Sequence, residues 1–209
     1  MFFLPSRTRR RFERNNDKDI TPAMDGEGLL NGQGRDALRE LSFGHSSVGH
    51  AGCESIAVYN ALALLGLSRP LPEVIRAMER GGYMRFGGYM GAAPYFQPML
   101  RHFGATTRAI RPARLQREAE RGTLPTGAVF LVSIWNDRFR PYKGMHTFTV
   151  RYVPDARGDW QVWNRYNSDA SSRFYRTLGD ILQSGRHRGR FLVIYRVERK
   201  KSLHRLFPF

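Results

Sequence analysis

GHAGCESIAVYNALALLG, residues 49 to 66, carries the one cysteine of a 209-residue chain. Cys53 stands behind Gly52, where an apolar run with helical spacing begins. At the first turn of a helix, a thiol meets unpaired backbone N–H groups and the positive end of the helix dipole, and both favour the thiolate. The same N–H groups can hold an oxyanion. A thiolate nucleophile needs a base, and the base needs a partner that orients it. His146 opens the run MHTFTVRYV, and after the turn PDARGD comes DWQVWN. Pairing these two runs as a hairpin sets residue 164 opposite residue 148, on the face that 146 shares. The Asn164 side chain would then reach the imidazole and hold it in one tautomer. A register shifted by one residue would bring Asn167 there instead. His45 and His50, close to Cys53, read as polar lead-in residues rather than bases.

The elements that must position these groups follow from periodicity. Residues from Cys53 to Leu65 form a largely buried helix stopped by Gly66, in which Asn60 is expected to satisfy a neighbouring backbone group. PLPEVIRAMERGG predicts a second helix with Leu71, Val74, Ile75 and Met78 on one face. GGYMRFGGYMGAAP is a glycine-rich loop, and PYFQPMLRHFG a third helix. A short strand (ATTRAI) and a charged helix (ARLQREAERG) follow. Strands are expected over 127–135, 145–153, 159–164 and 189–198, with a short helix in SRFYRTLGDILQSG. Helices first and antiparallel strands after define an α+β domain. Residues 1–42, polar and without a sustained period, are expected to be a basic arm or pro-segment packed on or tethered to a domain over 43–198. Residues 199–209 form a basic and apolar tail.

CESIAVYNALALLG, a helix, a glycine-rich loop, a further helix, MHTFTVRYV and QVWNRYN together resemble the bacterial papain-like cysteine peptidases. Within these, the chain is similar to the peptidase domains of bacteriocin-processing transporters, over roughly residues 45 to 198. The resemblance implies a papain-like fold with Cys53 as nucleophile, His146 as base and Asn164 as orienting residue. It also implies cleavage of a peptide or amide bond through an acyl-enzyme. Deamidase or transglutaminase chemistry would use the same triad. The family often has an oxyanion-hole glutamine six residues before the cysteine. Here Ser47 holds that position, so the expected hole combines the Ser47 hydroxyl with the backbone at Cys53. Gly87, Gly88 and Tyr89 in the glycine-rich loop, with Trp163, are candidates for the wall of a substrate groove. The loop reads equally as a linker, and the tryptophans also as core.

The formal net charge is +16, from 34 Lys and Arg against 18 Asp and Glu. Such a chain is drawn to anions, so an acidic protein or nucleic acid is a candidate partner. The competing function is accordingly a papain-like fold used as a basic binding module without catalysis. One cysteine excludes an internal disulfide. No clustered His, Cys and carboxylate spacing indicates a metal, and no P-loop is present, so neither metal nor cofactor is expected. No apolar stretch has the length of a membrane span. MFFLPSRTRRRFER places its apolar residues before its charges, the reverse of a secretory signal. A soluble protein is expected, cytoplasmic or exported by a signal-independent route.

Overall fold

A computed structural model describes residues 6–80, 84–85, 88–89, 96–139, 144–155, 157–183 and 188–200. The chain opens with helix α1 (Ser6–Asn16), where Arg9 and Glu13 pair one turn apart at 2.9 Å. Two 3-10 turns follow, Thr21–Ala23 and Asp36–Glu40. A small hairpin, β1 (Ser42–Phe43) and β2 (Ser46–Ser47), leads into the short helix α2 (Val48–Ala51) and then α3 (Cys53–Leu64). Gly66, at φ 67°, supplies the left-handed residue that ends α3. In α4 (Leu71–Arg80), Leu71, Val74, Ile75 and Met78 are buried, the four residues of the expected face.

Next come β3 (Met84–Arg85), β4 (Gly88–Tyr89), α5 (Phe96–His102), β5 (Ala105–Ala109) and α6 (Pro112–Glu120). The second half contributes β6 (Val129–Trp135), β7 (Met145–Asp155), β8 (Gly158–Trp163), β9 (Arg173–Tyr175), α7 (Leu178–Ile181) and β10 (Arg190–Arg199). The six main strands form one antiparallel sheet in the order β5-β10-β6-β7-β8-β9. The protein is therefore α+β, helices first and an antiparallel sheet after.

The sheet is covered on both faces, which is why its central strand reads as the continuous apolar run VFLVSIW. Val129 and Leu131 point to a core shared with α3, α4 and α5. Phe130, Val132 and Ile134 point to the other core, with Phe148, Val150 and residues of α6 and α7. On β7 the same alternation puts Thr147 and Thr149 toward α3, where the Thr149 hydroxyl donates to the Ala57 carbonyl at 2.7 Å.

No boundary in the packing falls at residue 42. Ala23, Leu30, Leu38, Leu41 and Phe43 are buried in the core of α3 and α4, and Leu29 is buried beside them. The expected arm is thus structural from Ala23 onward. DGEGLLNGQGRD lacks helical or strand period because its backbone bonds to side chains of other elements. Asn60, in the middle of α3, accepts from the Leu30 N–H and donates to the Leu30 carbonyl, both at 2.8 Å. It does for this segment what a partner strand would do.

Asn60→Ala leaves both Leu30 backbone groups buried and unpaired. It is expected to cost about 2 kcal/mol or more, read as a lower urea midpoint with unchanged slope. A variant as stable as wild type would show that Asn60 does not hold the segment in place.

Candidate active site

Cys53 is the first residue of α3, as its sequence context predicts. The register of β7 and β8 is also the expected one, with Thr149 opposite Trp163 and Val150 opposite Val162. β8 ends at Trp163, so on that side residues 146–148 of β7 have no partner strand. The Cys53 sulfur lies against the Thr147 backbone N–H at this open edge. His146 belongs to the face that carries Phe148, with ring centroids 5.9 Å apart, and its Nε2 meets the backbone carbonyl of Asn164 at 2.6 Å. Asn164 is the first residue beyond β8. The thiol and the imidazole thus reach the same open edge from opposite faces of the sheet. No hydrogen bond joins them.

A carbonyl oxygen only accepts, so Nε2 is the protonated nitrogen. In the neutral ring that leaves Nδ1 with a free lone pair. The orienting group is therefore the main chain of Asn164 and not its side chain, which corrects the sequence expectation. The physical reason is the backbone turn at Asn164, whose φ is 57°. The turn swings the side chain away from His146 and toward residues 31–33. There Asn164 Oδ1 accepts from the Gln33 N–H at 3.0 Å, and Nδ2 donates to Gln33 Oε1 at 3.3 Å. The Asn164 N–H donates to Asn31 Oδ1 at 3.0 Å. Asn167, the alternative, is exposed, and its backbone carbonyl accepts from Gly34.

The charge state of the pair also departs from expectation. Cys53 and His146 are each only 6% exposed. Burial, with the neighbouring Glu54 adding to it, pushes the Cys53 thiol up to about 12. The N–H groups of Thr147, Glu54 and Cys53 itself act in the anticipated direction, and desolvation outweighs them. Burial likewise pushes His146 down to about 4, against the Asn164 carbonyl, with Arg165 lowering it further and Asp169 opposing. At neutral pH the resting groups are a thiol and a neutral imidazole, not a thiolate–imidazolium pair.

Glu54, next to Cys53 on α3, is fully buried, and neither carboxyl oxygen has a hydrogen-bond partner. Desolvation raises it to about 8. The Thr147 hydroxyl, which also bonds the Ser133 hydroxyl at 2.9 Å, opposes this.

The remaining candidates divide. Ser47 is half-buried, pairs with Ser42 at the end of the hairpin, and among the described residues its hydroxyl makes no hydrogen bond. Trp163 is wholly buried and donates from Nε1 to Asp25 Oδ2 at 2.6 Å. It is thus a clamp on the N-terminal segment and not a groove wall. Gly87 lies outside the described residues, while Gly88 and Tyr89 form β4, paired with β3. His45 and His50 are exposed. Among the described residues, no three His, Cys, Asp or Glu side chains gather as metal ligands would.

Gln33 escaped the sequence reading. It is buried, and its Nε2 donates to the Gly49 carbonyl at 3.3 Å, in the short helix just before Cys53. Among the described residues the second N–H of that amide has no partner. Its signal was local: LLNGQG sets two amides between glycines directly after two leucines. A Cβ at Gly32 would strike the Asp169 carbonyl oxygen, so the segment passes too close to 167–169 for a side chain. No protein-family model, curated protein or solved structure matches this chain.

The raised Glu54 carboxyl has a thermodynamic consequence. Relative to an unfolded value of 4.5, its contribution to stability is fully present below pH 4.5 and is lost as pH rises through about 8. Glu54→Gln is therefore expected to match wild type near pH 4.5 and to exceed it at pH 8.5 by a few kcal/mol, at about 1.4 kcal/mol per pKa unit. Denaturant titrations at the two pH values measure this. Parallel pH profiles for the two proteins would refute a buried, neutral Glu54.

Proposed function

We propose that the protein is a papain-like cysteine hydrolase cleaving a peptide or amide bond through an acyl-enzyme, with Cys53 as nucleophile and His146 as base. The observation that supports this reading is the bond from His146 Nε2–H to the Asn164 carbonyl, which leaves Nδ1 as the unprotonated nitrogen of a residue next in sequence to Thr147, whose N–H meets the Cys53 sulfur. A neutral pair suits general-base attack. As sulfur bonds to the substrate carbonyl carbon, the thiol proton passes to Nδ1, and the carbonyl electrons move to oxygen. The oxyanion collapses, the C–N bond breaks, and the imidazolium returns its proton to the departing nitrogen. Water then attacks the thioester, giving its proton to Nδ1, and the acid leaves as the thiol reforms. The Cys53 backbone N–H and the free N–H of Gln33 are the donors proposed for the oxyanion. In this reading Gln33 takes the role that position alone would assign to Ser47. Deamidation or transglutamination would follow the same first half, with a glutamine side chain as substrate.

A second reading has its own support. Both reactive groups are nearly closed to solvent, and the chain carries +16. A papain-like fold that serves as a basic module for an acidic protein or nucleic acid would need neither group exposed.

The deciding measurement is turnover of fluorogenic peptidyl-coumarin amides, alongside labelling by a peptide vinyl sulfone. Wild type is expected to turn over and to label at Cys53. Cys53→Ala is expected to lose both, and His146→Gln to lose at least about a thousandfold in turnover. Gln33→Ala should lower kcat more than Ser47→Ala, by about 100-fold against a few-fold. A folded wild type with no turnover and no label, but with salt-sensitive binding to polyglutamate or RNA, would replace the hydrolase by the module.

A further inference from the structure

We propose that Asn31, on the N-terminal segment, is a positioning residue for His146, acting through the main chain of Asn164. This rests on the hydrolase reading for its purpose, but its geometry stands independently. All four polar groups of Asn164 are committed in a fully buried setting: the N–H to Asn31, Oδ1 and Nδ2 to Gln33, and the carbonyl to His146. Asn164 occupies the left-handed region at φ 57°, which its neighbours must maintain. In that turn its carbonyl faces the imidazole.

Of the holding bonds, the one from Asn31 grips the backbone itself. It fixes the N–H of the residue whose carbonyl orients His146. Asn31 is fixed in turn. It is fully buried, its own N–H donates to the Ala23 carbonyl at 3.1 Å, and its Nδ2 approaches Asp25 Oδ2 at 3.4 Å. The same Asp25 oxygen accepts from Trp163 Nε1, on the last residue of β8. A side-chain chain thus runs from Trp163 through Asp25 and Asn31 back to Asn164. It locks the strand end and the turn after it into one unit. The segment also crosses to α3 through Asn60 and Leu30. One stretch of chain therefore sets the sheet residue that aims the base and is itself fastened to the helix that bears the thiol. Removing residues 25–35 would dismantle the base and not unmask it, so this stretch cannot be a discarded pro-segment.

The tautomer of His146 is the direct readout, taken from long-range 1H–15N spectra of the full-length protein, with His146→Gln identifying the signal. Wild type is expected to hold the Nε2–H form alone. Asn31→Ala should mix the tautomers and lower kcat on a peptidyl-coumarin amide by about tenfold to a hundredfold, with KM within about threefold. Asn31→Ser, too short to reach the Asn164 N–H, should do the same if the alanine variant does not fold. Asn31→Asp keeps an acceptor at the right place for the Asn164 N–H and should restore both the single tautomer and most of the turnover.

A single Nε2–H form and full kcat in both short variants would overturn the proposal. So would loss of tautomer and turnover in the aspartate variant as well, since that would mean Asn31 only supports the fold. If wild type itself has no hydrolysis but the tautomers respond as stated, the hydrolase reading falls and the positioning of His146 by Asn31 is upheld.

Discussion

The bond from His146 Nε2 to the Asn164 carbonyl, 2.6 Å long, depends on a residue held with positive φ at the end of a strand. An L-residue in that conformation is disfavoured, asparagine least among the non-glycines. What keeps it there is hydrogen bonding to a segment more than a hundred positions earlier. If that segment were absent, β8 would have no reason to turn at 164, and the imidazole would lose the Asn164 carbonyl as its partner. The glycine at 32, the buried leucines at 29 and 30 and the amide of Asn60 all serve to bring that segment to the same spot.

The second constraint is desolvation. The start of a helix does favour a thiolate, and the N–H groups at Cys53 pull that way, but a sulfur almost sealed from water cannot hold a charge on their account. The same burial keeps His146 neutral and Glu54 protonated through neutral pH. The site therefore lacks internal ion pairs at rest. A thiol and an uncharged base cost little to bury, whereas an ion pair there would carry a desolvation cost that the backbone N–H groups at Cys53 do not offset. Under the hydrolase reading, charge forms only as substrate arrives and is transferred with the proton.

Arg165 belongs to the same balance. Its guanidinium is buried over the rings of Phe148 and Tyr166, is held by the Ile181 carbonyl at 2.9 Å, and opposes a positive His146. Asp169 works the other way, but it is already engaged by Arg173 and by the Tyr166 N–H. Under the hydrolase reading, a cation near a base that must itself become a cation keeps the imidazolium short-lived, and the proton is returned readily to a leaving nitrogen.

The helices α3 and α4, the strands β6 to β8 and β10, the α+β order and even the pairing that brings residue 164 beside the start of β7 were legible in the sequence. These follow from period, glycine stops and a turn between adjacent runs, all of which act over a few residues. The place of Cys53 at the head of its helix was legible too. Long-range packing makes 23–43 core and not arm, sets the carbonyl and not the side chain of Asn164 against His146, makes Trp163 a clamp and keeps the thiol neutral. Each of these depends on burial or on partners far along the chain: Gln33 with Asn164, Asp25 with Trp163, Leu30 with Asn60. A local pattern carries the intrinsic preference of a residue. The atom that satisfies a polar group, and whether water reaches a charge, are properties of the packed whole.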